Sequence, residues 1–169
     1  MKSLIDTRSM VIAGILAALT FIVTSFTKIP SFLPNAYYHA GDSIIFLSAM
    51  TLGAPMAAFV AGIGSAFSDL YLGYPVFMMA TLIIKGVMGY IAGKFMYLPK
   101  AKPSYMRMFL GILISGLWMV VGYYTYEVFV LGYDWRAALL DAAANLAQAG
   151  VGGAIFLPLS YAATRFKRL

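Results

Sequence analysis

The sequence predicts an all-α integral membrane protein, a bundle of six transmembrane helices with both termini cytoplasmic. Three observations predict it. Of 169 residues, 62% are hydrophobic and only 11% are charged, with a mean hydropathy of +0.86; a water-soluble domain of this size needs far more polar surface. The apolar residues fall in runs long enough to cross a bilayer. The charges between those runs are sorted by sign.

The spans are justified in order. The first is expected over 9–29, behind the polar start "MKSLIDTRS". It reads as a retained span, because no small-residue cleavage site follows a short core. A polar stretch, "SFLPNAYYHAGD", follows. The segment 42–72 is too long for one span. Its "GAP" at 53–55 breaks it, since Pro55 cannot continue a helix. Two shorter helices, 42–53 and 55–72, are expected there. Spans over 75–97, 105–131 and 136–164 complete one membrane domain over 1–169.

Charge parity supports six. With the N-terminus inside, Lys2, Arg8, Lys94, Lys100, Lys102, Arg107, Arg165, Lys167 and Arg168 are cytoplasmic, nine of the twelve basic residues. Only Lys28 and Arg136 lie outside, and Lys85 falls within the membrane. Asp42, Asp69, Glu127, Asp134 and Asp141 lie toward the outside. Reading 42–72 as one span would put the basic stretch 94–107 opposite the basic N-terminus, against the positive-inside rule. The net charge of +6 therefore reports orientation, and no nucleic-acid partner is expected.

Lipid gives helices no hydrophobic reason to associate, so small residues that let backbones approach mark contact faces. Ala13 and Ala17 form such a pair in the first span. The face they mark could pack within the chain or dock another membrane subunit. Ala57, Ala61, Gly62 and Ala66 in the third span, Gly89 and Gly93 in the fourth, and Ala149 to Gly153 in the last suit internal packing.

Ionisable and polar groups within a membrane are costly and so are candidates for function. Asp141, Asn145 and Gln148, at i, i+4 and i+7, share one face of the last span. Amides both donate and accept, which suits the edge of a heterocycle; they also suit bonds between helices. Glu127 lies about one turn below the outer surface, with Tyr123 and Tyr124 on its face. A carboxylate beside rings suits an exocyclic amine or hydroxyl; an ion pair with Lys85 or Arg136 is the alternative. Tyr133 and Trp135 read as an interfacial belt. The stretch "PSFLPNAYYHAGDS" could be a lid carrying His39, with Asp42 or Ser43 capping the next helix. Asp69 and Tyr74 flank the turn "SDLYLGYP". Lys85 lies about 15 Å down its helix at 1.5 Å per residue, so it should meet Asp42, Asp69, Glu127 or a substrate atom.

No chemistry of its own is legible. The nearest thing to a phosphate loop, "GYIAGKF", has Met88 and Phe95 where glycine and serine or threonine belong. There is no HExxH motif, no cysteine, and one histidine, so neither a metal site nor a cofactor is expected. The chain is expected to be no enzyme.

The series "AGILA", "HAGDSIIFLSAMTLG", "AGIGSAFSDLYLGYP", "LIIKGVMGYIAGK", "GYYTYE" and "NLAQAGVGG", in order over most of the chain, resembles the substrate-binding S components of energy-coupling factor (ECF) vitamin transporters. The likeness is to the riboflavin-type group that includes hydroxymethylpyrimidine transporters. The resemblance implies a multi-pass prokaryotic plasma-membrane protein that captures a vitamin outside. It also implies partners: a membrane coupling subunit and two ATPase subunits. Ala13 and Ala17 match the family's AxxxA docking motif. Glu127, Asn145 and Gln148 fall where the family binds substrate; Tyr123, Tyr124, Tyr74, Lys85 and His39 are further candidate substrate contacts, and Lys85 and Asp69 match family positions without an assigned role. Asp42 and Asp69 are expected to be structural or gating. Hydroxymethylpyrimidine is the expected substrate, with pyridoxine, riboflavin and pantothenate as alternatives. The rival class is a self-contained homo-oligomeric carrier.

Overall fold

A computed structural model of the chain describes residues 6–30, 37–99, 101 and 103–166. Six helices build it: α1 (Thr7–Phe26), α2 (Gly41–Leu52), α3 (Ala54–Tyr71), α4 (Pro75–Met96), α5 (Tyr105–Phe129) and α6 (Trp135–Phe166). Four of these, α1, α4, α5 and α6, are long and apolar enough to cross a membrane. The one departure from all-α among the described residues is a two-residue antiparallel pairing. It joins β1 (Ile29–Pro30) to β2 (Tyr37–Tyr38), with Ile29 opposite Tyr38. The segment read as a lid falls partly outside the described residues, at 31–36.

Local chemistry sets the helix ends. The Asp6 carboxylate accepts the Ser9 N–H at 2.8 Å, and Ser104 Oγ accepts that of Arg107 at 3.3 Å, satisfying orphan donors of the first turns. Gly53 takes φ +82° between α2 and α3, a conformation that costs glycine little. Pro55 follows in the first turn of α3, where its missing N–H is not needed.

The antiparallel α3 and α4 pack backbone to backbone. A Cβ on Gly89 would strike the Ala57 carbonyl oxygen and come within 2.9 Å of the Ala61 Cβ. Tyr126 Oη donates to the Val76 carbonyl at 2.6 Å and Trp118 Nε1 to that of Ile84 at 3.1 Å, fastening α5 to α4. The apolar core gathers Phe46, Met50, Met88, Met96, Met108, Met119 and Phe156. It lies toward the end of the bundle that carries Lys94 and Arg107.

The 12 residues of α2 rise only about 18 Å, too short for a hydrocarbon core of about 30 Å. Its C-terminal end meets the base of α4, where the Tyr97 ring packs on Gly53. Its N-terminal end stops beside the middle of α4 and α6: Asp42 meets Lys85 and Gln148, and its Cβ lies 2.7 Å from where Gly152 would carry one. Above that point lies a cavity, which His39 lines from the connection between α1 and α2.

Candidate functional site

The cavity opens at the end of the bundle away from Arg8, Lys94 and Arg107. All the long helices contribute: Thr24 from α1, Ser65 and Asp69 from α3, Phe77, Thr81 and Lys85 from α4, Tyr123 and Glu127 from α5, and Asp141, Asn145 and Gln148 from α6. His39 enters from the α1–α2 connection, and Tyr74 and Tyr133 stand at the rim. Its volume is about 100 Å³.

The floor is an ionic network. Lys85 Nζ lies 2.6 Å from Asp42 Oδ1, with the two residues 2% and 0% exposed, and 2.8 Å from Met119 Sδ. Gln148 Nε2 donates to the other Asp42 oxygen at 3.0 Å. Buried charges need such pairing, because desolvation otherwise outweighs any local gain. The partner of Lys85 is thus Asp42; neither Asp69 nor Glu127 forms an ion pair with it. Asp42 does not cap α2, whose first N–H, that of Gly41, goes to His39 Nδ1; its carboxylate turns into the bundle instead. Gln148 is committed to this floor.

Higher up, the Thr81 and Tyr123 hydroxyls share a hydrogen bond of 2.9 Å. His39 is buried, and its Nδ1 accepts the Gly41 N–H at 3.1 Å. An accepting Nδ1 carries no proton of its own. At the rim, Lys28 Nζ donates to Tyr74 Oη at 3.3 Å and lies 5.2 Å from its ring centre, a cation–π distance.

Several polar atoms have no hydrogen-bond partner among the described residues. Glu127 Oε2, Thr24 Oγ1 and Ser65 Oγ are buried in this way, and all three residues line the cavity. Leaving such groups unmet is expensive, so a cavity that collects them is prepared for a guest.

Two expectations need correction. Tyr124 does not line the cavity: one residue beyond Tyr123, it is turned about 100° around the helix. Ala13 and Ala17 do not form an open face. They are 1% and 6% exposed and continue through Thr20 and Thr24 as the inward stripe of α1. The Ala17 carbonyl lies 2.7 Å from where Gly64 of α3 would carry a Cβ. Gly14 and Ala18 are the small residues that α1 leaves exposed; they and Ala17 line an apolar groove shared with Phe59, Ile63 and Phe67.

Thr24, Ser65, Phe77 and Thr81 were not singled out from the sequence. Their one signal is position: Thr24 continues the small-residue stripe of α1, and Ser65 lies one turn before Asp69. Tyr133, read as part of a belt, stands at the cavity rim.

Fold and cavity together define a polytopic helical membrane protein with a polar, one-sided chamber. Over residues 4–165 the chain matches the family described as "ECF-type riboflavin transporter, S component", and it belongs to that family. Among curated relatives, the thiamine precursor transporter HmpT of Lactococcus lactis subsp. cremoris (strain MG1363) is 29% identical over 151 residues, 86% of this chain and 81% of that protein. An uncharacterised Pyrococcus woesei protein is 37% identical over 102 residues, 60% of this chain and 66% of the relative. A solved structure described as the S component of a bacterial ECF transporter superposes with a TM-score of 0.74 at 21% identity, covering 96% of this chain and 98% of the other; at that identity the likeness concerns the fold.

Proposed function

We propose that this chain is the substrate-capturing subunit of an ECF-type importer in a prokaryotic plasma membrane, and that its substrate is a single-ring vitamin precursor, hydroxymethylpyrimidine. The observation that carries the reading is the one-sided cavity with unmet polar atoms. Its volume of about 100 Å³ is below the range of roughly 300–1,000 Å³ usual for drug-sized ligands. That suits one ring and disfavours a tricyclic flavin with its sugar-alcohol chain. The likeness to a thiamine precursor transporter points the same way.

In this reading Tyr123 and Phe77 pack against the ring, while Glu127, Asn145 and His39 meet its substituents. Lys85, Asp42 and Gln148 hold the floor, and Asp69 and Tyr74 border the entrance. A membrane coupling subunit docks on the outer side of α1, around Gly14 and Ala18, and two ATPase subunits supply the energy. The test is titration of the purified chain with hydroxymethylpyrimidine, followed by uptake into proteoliposomes. Saturable binding by the chain alone, with uptake only when the coupling module and ATP are present, is expected. Uptake by the chain alone would make it a self-contained carrier and overturn the proposal.

A further inference from the structure

Resting on that reading, we infer that Glu127 and Asp141 form an acidic wall that selects a ring by its N–H donors and excludes anionic ligands. Asp141 is thereby assigned to the site as a specificity residue. Glu127 is 5% exposed, its Oε2 is buried without a hydrogen-bond partner among the described residues, and it lines the cavity. Of the nearby cations, Lys85 Nζ is held by Asp42 at 2.6 Å and Lys28 Nζ lies against Tyr74 at the rim. Arg136 is not among the lining residues; its guanidinium lies over the Trp135 ring, 5.1 Å from the centre.

Asp141, on the neighbouring helix, lines the same cavity, and no hydrogen bond or ion pair engages its side chain among the described residues. Two carboxylates facing one small space repel a phosphate or carboxylate and attract a donor. Asn145, one turn along α6 from Asp141, lines the wall too. Its amide both donates and accepts, so it can meet a ring nitrogen beside a donor. Two carboxyl groups flanked by one ambivalent amide fit an edge of the form N–C–NH₂. An edge without a donor leaves buried acceptors unmet.

The test uses calorimetric titration of the purified chain in detergent at fixed pH with three probes. These are a hydroxymethyl-bearing 4-aminopyrimidine, its 4-methyl counterpart, and the phosphate ester of the amine. The amine should bind; the methyl compound, which has no N–H, should bind at least about tenfold more weakly, since a site built for a donor rejects an analogue lacking it; the ester should not bind detectably. Glu127→Gln should weaken the amine about tenfold or more and narrow its advantage over the methyl compound. Asp141→Asn should admit the ester. The melting temperature of each variant checks that it is folded.

Equal affinity for amine and methyl compounds, or tight binding of the ester, overturns the inference and leaves the importer reading standing. If none of the three binds, small molecules recovered with the chain by mass spectrometry decide. A ring with an N–H donor edge supports the inference, and an anion or a donor-free ring overturns it. Recovery of no ligand at all overturns the importer reading itself.

Discussion

At the scale of residues, Lys85 governs the site although its charge is almost fully buried. Its ammonium is tolerable there because Asp42 sits 2.6 Å away and Gln148 holds the second carboxylate oxygen. Removing one partner strands the other in a medium that solvates it poorly, at a cost of about 3–5 kcal/mol. Asp42→Asn and Lys85→Met should therefore each lower stability by about that amount in detergent unfolding. The double variant should lose less than the two single losses combined, since neither charge is then stranded. Strictly additive losses would mean that the pair is not coupled. That Lys85 meets a carboxylate or a substrate atom was legible in the sequence, because a mid-membrane ammonium has few alternatives. Which carboxylate was not, because the choice depends on how far α2 reaches.

At the scale of elements, α1 shows how one sequence feature supports two faces. Small residues at i and i+4 look alike whether they let a neighbouring helix of the same chain approach or wait for a partner. Here Ala13 and Ala17 face inward, against α3, and Gly14 and Ala18 face out. Ala17→Trp should therefore destabilise the isolated chain by about 1–3 kcal/mol or more through overpacking. Ala18→Trp should leave its melting temperature and ligand affinity close to wild type while lowering uptake by the assembled transporter. Comparison of melting curves with transport separates the two. An Ala17→Trp chain as stable as wild type would contradict the packing described for α1.

The cavity hydroxyls were hard to read for a related reason. A threonine in a membrane helix commonly satisfies itself on the carbonyl one turn back, as Thr20 does on Leu16 at 2.8 Å. Thr24 is the same residue type in the same helix, and nothing in the sequence marks it as unsatisfied.

At the scale of the whole molecule, the bundle divides into halves. One is filled with apolar side chains, five of them methionines; the other surrounds a polar chamber whose Glu127, Thr24 and Ser65 hold atoms without a hydrogen-bond partner among the described residues. The six-helix class was legible because composition, span length and charge sorting agree. The division was not, since it arises where α2 ends and not from any single run of residues. A chamber with orphaned polar atoms should be the less stable half, and a ligand that meets them should stabilise the whole. At a free ligand concentration a hundred times Kd the gain is about 2.7 kcal/mol. A thermal shift assay should show the melting temperature rising with ligand concentration. Hydrogen exchange should slow most in the outer turns of α5 and α6. Slowing confined to the inner half would place the ligand elsewhere.

The half-length of α2 has an electrical consequence. Its N-terminus, with the partial positive charge of aligned peptide dipoles, stops in mid-membrane beside Asp42 and Lys85 instead of fading into solvent. The Asp42 carboxylate lies in the first turn, where that partial charge favours it even without Lys85. The Lys85 ammonium faces a helix end of its own sign and depends on Asp42 to offset both. The two single losses should therefore be unequal. Asp42→Asn should be the more damaging, because it leaves two positive charges facing each other across the floor of the chamber.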